Sequence, residues 1–285
     1  LPQFAESMTY VTRFRREAAL AAKPTHPNTV QVFHYGVQGE LHYIVMEYVE
    51  GQSVASMVRS RGRLDEVEAL DIAIRVARSL AEAQEYGIVH RDVKPSNIKV
   101  SKWGVVKLMD FGVARLTGDL GDPSVKQTVT LGVVGTPTYM SPEQARGSRG
   151  VDFRTDMYSL GATLYHMLTG SAPYAGDTPQ DVLGRIAEGP PTDIRERRAD
   201  LSERTVDIVN RTMARRPEER FDSFAELIGA MEAARDHAAA AAKGASSAAP
   251  AGPAAGADWR RTFVVAGLVV LLGLAAAYVL HALFF

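Results

Sequence analysis

Residues 86–112 read YGIVHRDVKPSNIKVSKWGVVKLMDFG. Two aspartates, Asp92 and Asp110, stand in this stretch, each beside turn-forming or constrained residues. Between them lie two apolar runs, Asn97–Val100 and Val105–Met109, joined across Lys102–Gly104. Short apolar runs around a Gly-containing turn predict a β-hairpin. A hairpin of that size brings its two ends together, so Asp92, Asn97 and Asp110 are expected at one edge. Two carboxylates and an amide beside Lys94 suit a magnesium–phosphate site. Mg²⁺ takes oxygen ligands and keeps several waters, so one or two side chains plus phosphates suffice.

The stretch resembles the catalytic loop and magnesium loop of protein kinases. His90-Arg91-Asp92 followed by Asn97 matches H-R-D-x-x-x-x-N, and Asp110-Phe111-Gly112 matches D-F-G. The resemblance implies that Asp92 accepts the proton of a substrate hydroxyl and that Asn97 and Asp110 hold Mg²⁺. Lys94, within Asp92-Val93-Lys94-Pro95, resembles the serine/threonine branch, where that lysine meets the transferred phosphate. The chain is identified as resembling bacterial, eukaryotic-like (Hanks-type) serine/threonine kinases. The expected fold class is α+β, two-lobed, with an incomplete small lobe and a mostly helical large lobe. The implied reaction moves the γ-phosphate of ATP, with Mg²⁺, to protein Ser/Thr hydroxyls. The resemblance also brings a homodimer for autophosphorylation as an expected partner.

Toward the N-terminus, residues 7–22 predict an amphipathic helix, with Val11, Phe14, Ala18 and Ala21 at helical spacing. By resemblance this is the regulatory helix of the small lobe, and Glu17 is the acid that pairs with a phosphate-gripping lysine. Val30–Tyr35 and His42–Tyr48 predict a hairpin about Gln38-Gly39-Glu40. Met46–Gly51 resembles the kinase hinge. Met46 would stand at the gatekeeper position, and backbone groups of Glu47 and Val49 would hydrogen-bond adenine. Leu64–Tyr86 predicts a long helix with a stripe at Leu70, Ile74, Ala77, Leu80 and Ala81, ended by Gly87.

Val113–Gly135 has no period, and loops this long are uncommon unless functional. The following Gly135–Glu143 resembles the peptide-binding segment, with Ser141-Pro142-Glu143 where A-P-E is usual. Thr128 and Thr130 match the activating phosphothreonines of bacterial relatives, with Arg91 as the cationic partner, because a phosphate opposite an arginine orders a loop. Val151–Thr169 predicts a buried helix. Asp156 resembles the buried aspartate that anchors the catalytic-loop backbone, and Arg220 the arginine that pairs with Glu143. Shorter helices are expected at 178–188, 202–214 and 223–234.

Composition bounds the rest. The 285 residues carry 23% charged and 46% hydrophobic side chains, and a formal net charge of -1 offers no footprint for nucleic acid. The absence of cysteine excludes disulfides and thiolate metal sites. Four regions are expected: 1–50 as a partial small lobe, 51–236 as the large lobe, 237–261 as an Ala/Gly/Pro-rich linker, and 262–285 as a transmembrane helix. Thr262–Phe285 contains no charged residue and would span about 36 Å as a helix. Trp259, Arg260 and Arg261 flank its N-terminal end, so the positive-inside rule puts the kinase part in the cytoplasm, single-pass in a bacterial inner membrane. The resemblance is incomplete ahead of Glu17: no G-x-G-x-x-G occurs, and the first lysine, Lys23, comes too late to be the family's strand lysine. The chain therefore reads as a fragment lacking the first strands of the small lobe, with a membrane-tethered pseudokinase scaffold as the alternative. A small-molecule phosphotransferase is disfavoured, since Lys94 and Gly135–Glu143 would have no use there.

Overall fold

In the computed structural model the described residues are 19, 22–39, 41–110, 137–148 and 151–247. The expected helix over 7–22, with Glu17, lies almost wholly outside them, as do Phe111, Gly112, Thr128, Thr130 and the 262–285 run. Among the described residues, no helix is long and apolar enough to cross a membrane. The chain divides into two units, Leu1–Ala241 and Ala242–Phe285. The strands, and the helices as far as Ala241, belong to the first.

Strands β1 (Val32–Gln38) and β2 (Leu41–Met46) form the first hairpin, antiparallel from Val32↔Met46 to Gln38↔Leu41. β3 (Gly51–Ser53), β4 (Ile98–Ser101) and β5 (Val106–Leu108) form a second sheet in the order β3-β4-β5. The β4–β5 pairing runs from Ile98↔Leu108 to Val100↔Val106, within the runs that predicted it. Its turn needs a positive φ, which Gly104 supplies at 77°. Ahead of β1, Asn28–Val30 lies along β5. Leu108 N–H donates to Asn28 O at 2.7 Å, Val30 N–H donates to Leu108 O at 2.9 Å, and Thr29 and Leu108 form a parallel bridge.

The remainder is helical: α1 (Val54–Arg61), α2 (Glu66–Glu85), α3 (Pro142–Ala145), α4 (Arg154–Thr169), α5 (Pro179–Glu188), α6 (Ile194–Arg197), α7 (Glu203–Thr212) and α8 (Phe224–Ser247). α2 forms where its stripe placed it. Asp65 caps the first turn through Val67 N–H at 2.9 Å, and Leu70, Ile74, Ala77 and Leu80 are buried. α4 is buried nearly all round and is the central post of the core. Gly161 lets α7 pack close to it, because a Cβ there would clash with Thr212. Some elements depart from the sequence expectations. β3 and α1 were not expected, and α8 runs on to Ser247 where a linker was expected from residue 237. The Ala-rich tract has the highest intrinsic helix propensity, so it continues the helix without a core-facing stripe.

Candidate active site

The loop His90–Asn97 and the end of β5 carry the candidate site. Arg91 and Asp110 are non-glycine residues with φ of 63° and 58°. Such backbone costs about 1–3 kcal/mol per residue and persists only where the surroundings hold it. Those surroundings are identifiable. Asp156, on the first turn of α4, accepts from His90 N–H and Arg91 N–H, both at 2.7 Å. Gln144 Nε2, on α3, donates to Arg91 O at 3.2 Å, and Thr163 Oγ1, on α4, donates to Val93 O at 3.5 Å.

His90 ties the loop to β5. It is fully buried; its Nδ1 accepts from Asp92 N–H at 3.2 Å, which assigns the proton to Nε2, bonded to Met109 O at 2.9 Å. Burial pushes its imidazole down to about 4, so it stays neutral. Met109 N–H in turn donates to Asn97 O at 2.8 Å. Through these bonds one imidazole and one strand end set Asp92 against Asp110.

On this frame the functional groups converge. Lys94 Nζ lies 2.7 Å from Asp92 Oδ2, and Asn97 Nδ2 donates to the same oxygen at 2.9 Å and to Asp92 O at 3.0 Å. With its nitrogen committed to Asp92, Asn97 can offer a cation only its carbonyl oxygen. Partial burial raises the Asp110 carboxyl above its usual range; the charge of Asp92 raises it further, and Lys94 opposes both. Two carboxylates converging beside an amide oxygen fit Mg²⁺, which would relieve their repulsion. Among the described residues no three acidic or histidine side chains form a closed metal cage. An open donor set of this kind suits a cation that keeps waters and phosphate oxygens.

The hinge residues lie between β2 and β3. Glu47 N–H donates to Gln31 O at 2.8 Å, and Lys99 Nζ donates to Val49 O at 3.2 Å. Backbone recognition of adenine would therefore fall to Glu47 C=O and Val49 N–H. The Glu47 carboxylate pairs with Lys107 Nζ at 2.7 Å, and Met46 is exposed. Behind the site, Arg220 grips Glu143 in a fork of 2.7 and 2.9 Å. Burial alone would push the Glu143 carboxyl up, but Arg220 and Thr155 hold it below the usual range. Ser141, the departure from A-P-E, caps α3 in a reciprocal box with Gln144, and its Oγ lies 2.8 Å from Thr155 Oγ1. Arg91 is exposed, and no ion pair joins its guanidinium to any of the described residues. Gln144 was missed by sequence reasoning. The Ser141-x-x-Gln144 spacing would have found its cap but not its bond to Arg91 O.

Comparison with known proteins decides the family. The model of the protein kinase domain matches residues 3–233. The chain belongs to the protein kinase family. Within this family it is 41% identical over 227 residues to the serine/threonine-protein kinase PknB of Mycolicibacterium smegmatis, covering 78% of this chain and 36% of that protein. It is 39% identical over 233 residues to the probable serine/threonine-protein kinase CPE1738 of Clostridium perfringens, covering 81% of this chain and 33% of that one. The chain thus spans about a third of the length of these kinases. The crystal structure of Rad53 1-466 in complex with AMP-PNP superposes with a TM-score of 0.63 at 26% identity, covering 76% of this chain and 53% of that chain.

Proposed function

We propose that the chain is the catalytic part of an ATP-dependent protein-serine/threonine kinase. The observation that carries this is the convergence of Lys94 and Asn97 on one oxygen of Asp92, beside Asp110. Asp92 would take the proton of the incoming hydroxyl, and Lys94, already at its side, would meet the phosphate as it moves. Asp110 and the Asn97 carbonyl would hold Mg²⁺, which neutralises phosphate charge when bound. The strained loop, pinned by Asp156 and Gln144, keeps these atoms fixed without help from substrate, as catalysis by positioning requires. The family role of Glu17 needs a glycine loop and a strand lysine, which this sequence does not carry ahead of it. Full activity accordingly requires that both be supplied.

The rival reading is a scaffold that binds nucleotide or partners without turnover. Radiolabelled ATP with the full gene product, offered Ser/Thr and Tyr peptides, separates the two. Transfer to Ser/Thr supports the kinase; nucleotide binding with no transfer to any substrate makes it a scaffold. Phosphate on Thr128 or Thr130 in active protein would support activation through Arg91, by transfer within a homodimer.

The 262–285 run is proposed as a single membrane span, with the kinase part on the cytoplasmic side of a bacterial inner membrane. Its support is the uncharged sequence and the Arg260-Arg261 pair at its N-terminal end. Protease added to intact spheroplasts should spare the kinase part; its digestion there would reverse the topology.

A further inference from the structure

The turn of the β4–β5 hairpin holds an indole out in solvent. Trp103 is 73% exposed, and Tyr48, on the strand-flanking hinge, is 86% exposed. Each ring carries a lysine. Lys102 Nζ lies 4.5 Å from the Trp103 ring centre, and Lys99 Nζ lies 5.9 Å from that of Tyr48. Val105 adds an exposed apolar side chain at the same turn. The turn is held firmly: Trp103 N–H and Val105 N–H both donate to Ser101 Oγ, at 3.3 and 3.1 Å. Arg75 Nη1, from α2, donates to Gly104 O at 2.8 Å.

Arg75 also begins a relay. Its Nη2 meets Asp71 Oδ2 at 3.1 Å, and the other oxygen of Asp71 meets Arg235 Nη1, on α8, at 3.1 Å. The last buried side chain on α8, among the described residues, is Ala238, less than one turn beyond Arg235. The hairpin tip and the place where α8 leaves the core are thus joined by one hydrogen bond and two ion pairs in series.

We propose that Trp103, with Lys102 and Tyr48, rests on the surface of the bilayer that anchors the chain. This inference rests on the membrane span proposed above. Indole and phenol rings suit the headgroup level of a bilayer, and lysine ammonium groups suit its phosphates. Residues 239–261 are all that separates Ala238 from the uncharged run. A tether keeps the tip at high effective concentration near the surface, so a contact too weak to recruit free protein is sufficient. Glu50 pairs with Lys102 at 2.9 Å and tempers the positive charge. The rings therefore carry the contact, and anionic lipid strengthens it. The orientation has a consequence for catalysis. Asp92 and Asp110 stand at the opposite end of the same hairpin from Trp103, so a tip set on the bilayer turns the catalytic edge toward soluble protein.

The chain has two tryptophans, so Trp259→Phe leaves Trp103 as the sole reporter. The full chain carrying that change is reconstituted into phosphatidylcholine–phosphatidylglycerol vesicles, with plain or brominated acyl chains. Trp103 emission should shift to the blue relative to an exposed indole and be lost in brominated lipid. Lys102→Glu should reduce that loss, most at high phosphatidylglycerol. Vesicle-bound chain whose Trp103 emits as in water, equally in both lipids, would overturn the inference and leave the anchoring intact. A blue shift without bromine quenching, together with a dimer by cross-linking, would assign the face to a second copy and overturn it too. Chain that fails to float with the vesicles would sink both the anchoring and the inference.

Discussion

Asp92 is defined by what fixes it. Two donors, Lys94 Nζ and Asn97 Nδ2, meet on Oδ2, so the carboxylate has one orientation before any substrate arrives. Asp92→Asn keeps the shape and removes the base. Turnover of the full gene product should fall about 100- to 10,000-fold, with nucleotide affinity little changed by titration calorimetry. Undiminished turnover would remove Asp92 from that role. Asp110 has a carboxyl raised by burial and by Asp92. In the folded state it holds its proton to higher pH than in the unfolded chain, so its ionisation lowers stability as pH rises through that window. Asp110→Asn should therefore raise the melting temperature of ligand-free protein near neutral pH and abolish the further rise given by Mg²⁺ and nucleotide. A lower melting temperature without ligand would contradict this. His90 works in the other direction. Its folded value of about 4 lies below the ordinary 6.5, so the unfolded chain binds the extra proton and stability is lost as pH falls from 6.5 toward 4. The loss attributable to His90 is about 3 kcal/mol. Urea midpoints measured across that range should fall less steeply in His90→Gln than in the parent; parallel profiles would show that His90 does not titrate this way.

Among the elements, α3 shows how a short helix holds a site it does not enter. Glu143 faces Arg220, which is 1% exposed and whose side chain also donates to Ala214 O and Arg154 O. Removing one member leaves the other buried and unpaired, at a cost of about 3–5 kcal/mol. Arg220→Ala should lower the unfolding free energy by that amount, while Glu143→Met with Arg220→Leu should recover most of it. A double variant as unstable as the single would point to lost packing rather than to stranded charge. The same scale shows what the sequence could reveal. α2 was legible because its stripe and its Asp65 cap are local. The β4–β5 hairpin was legible because its turn glycine and apolar runs are adjacent, and that adjacency brought Asp92, Asn97 and Asp110 within reach of inference. β3 was not legible, because Gly51-Gln52-Ser53 has no strand pattern and is extended only by pairing with β4. Asp156 and Arg220 could be singled out by resemblance alone, since their partners lie 66 and 77 positions away. Gln144 reaches Arg91 from 53 positions away and carries no chemical mark that would announce it.

For the molecule as a whole, stability is unevenly spread. Phe33, Leu41, Tyr43 and Val45 leave the β1–β2 hairpin largely exposed, whereas α2 and α4 are packed from several sides. An isolated two-stranded hairpin is marginal in water. Amides of β1 and β2 should therefore exchange through local opening, well before those of Met157–Leu168 on α4, in hydrogen-exchange mass spectrometry. Equal protection would show that the hairpin and the helical body open together. The hairpin is held to the body by the short stretch Asn28–Val30 lying along β5. Asn28 Nδ2 reaches Val106 O across 78 positions of chain. On a ribosome adding about 5–20 residues per second, roughly 4–16 s pass between the two. Through that interval the hairpin residues are synthesised before β5 and the helical body that follow them. The bridge to β5, the strand that leads into Asp110, thus also sets the timing. The nascent hairpin has a window of several seconds in which the partner strand that will dock it does not yet exist.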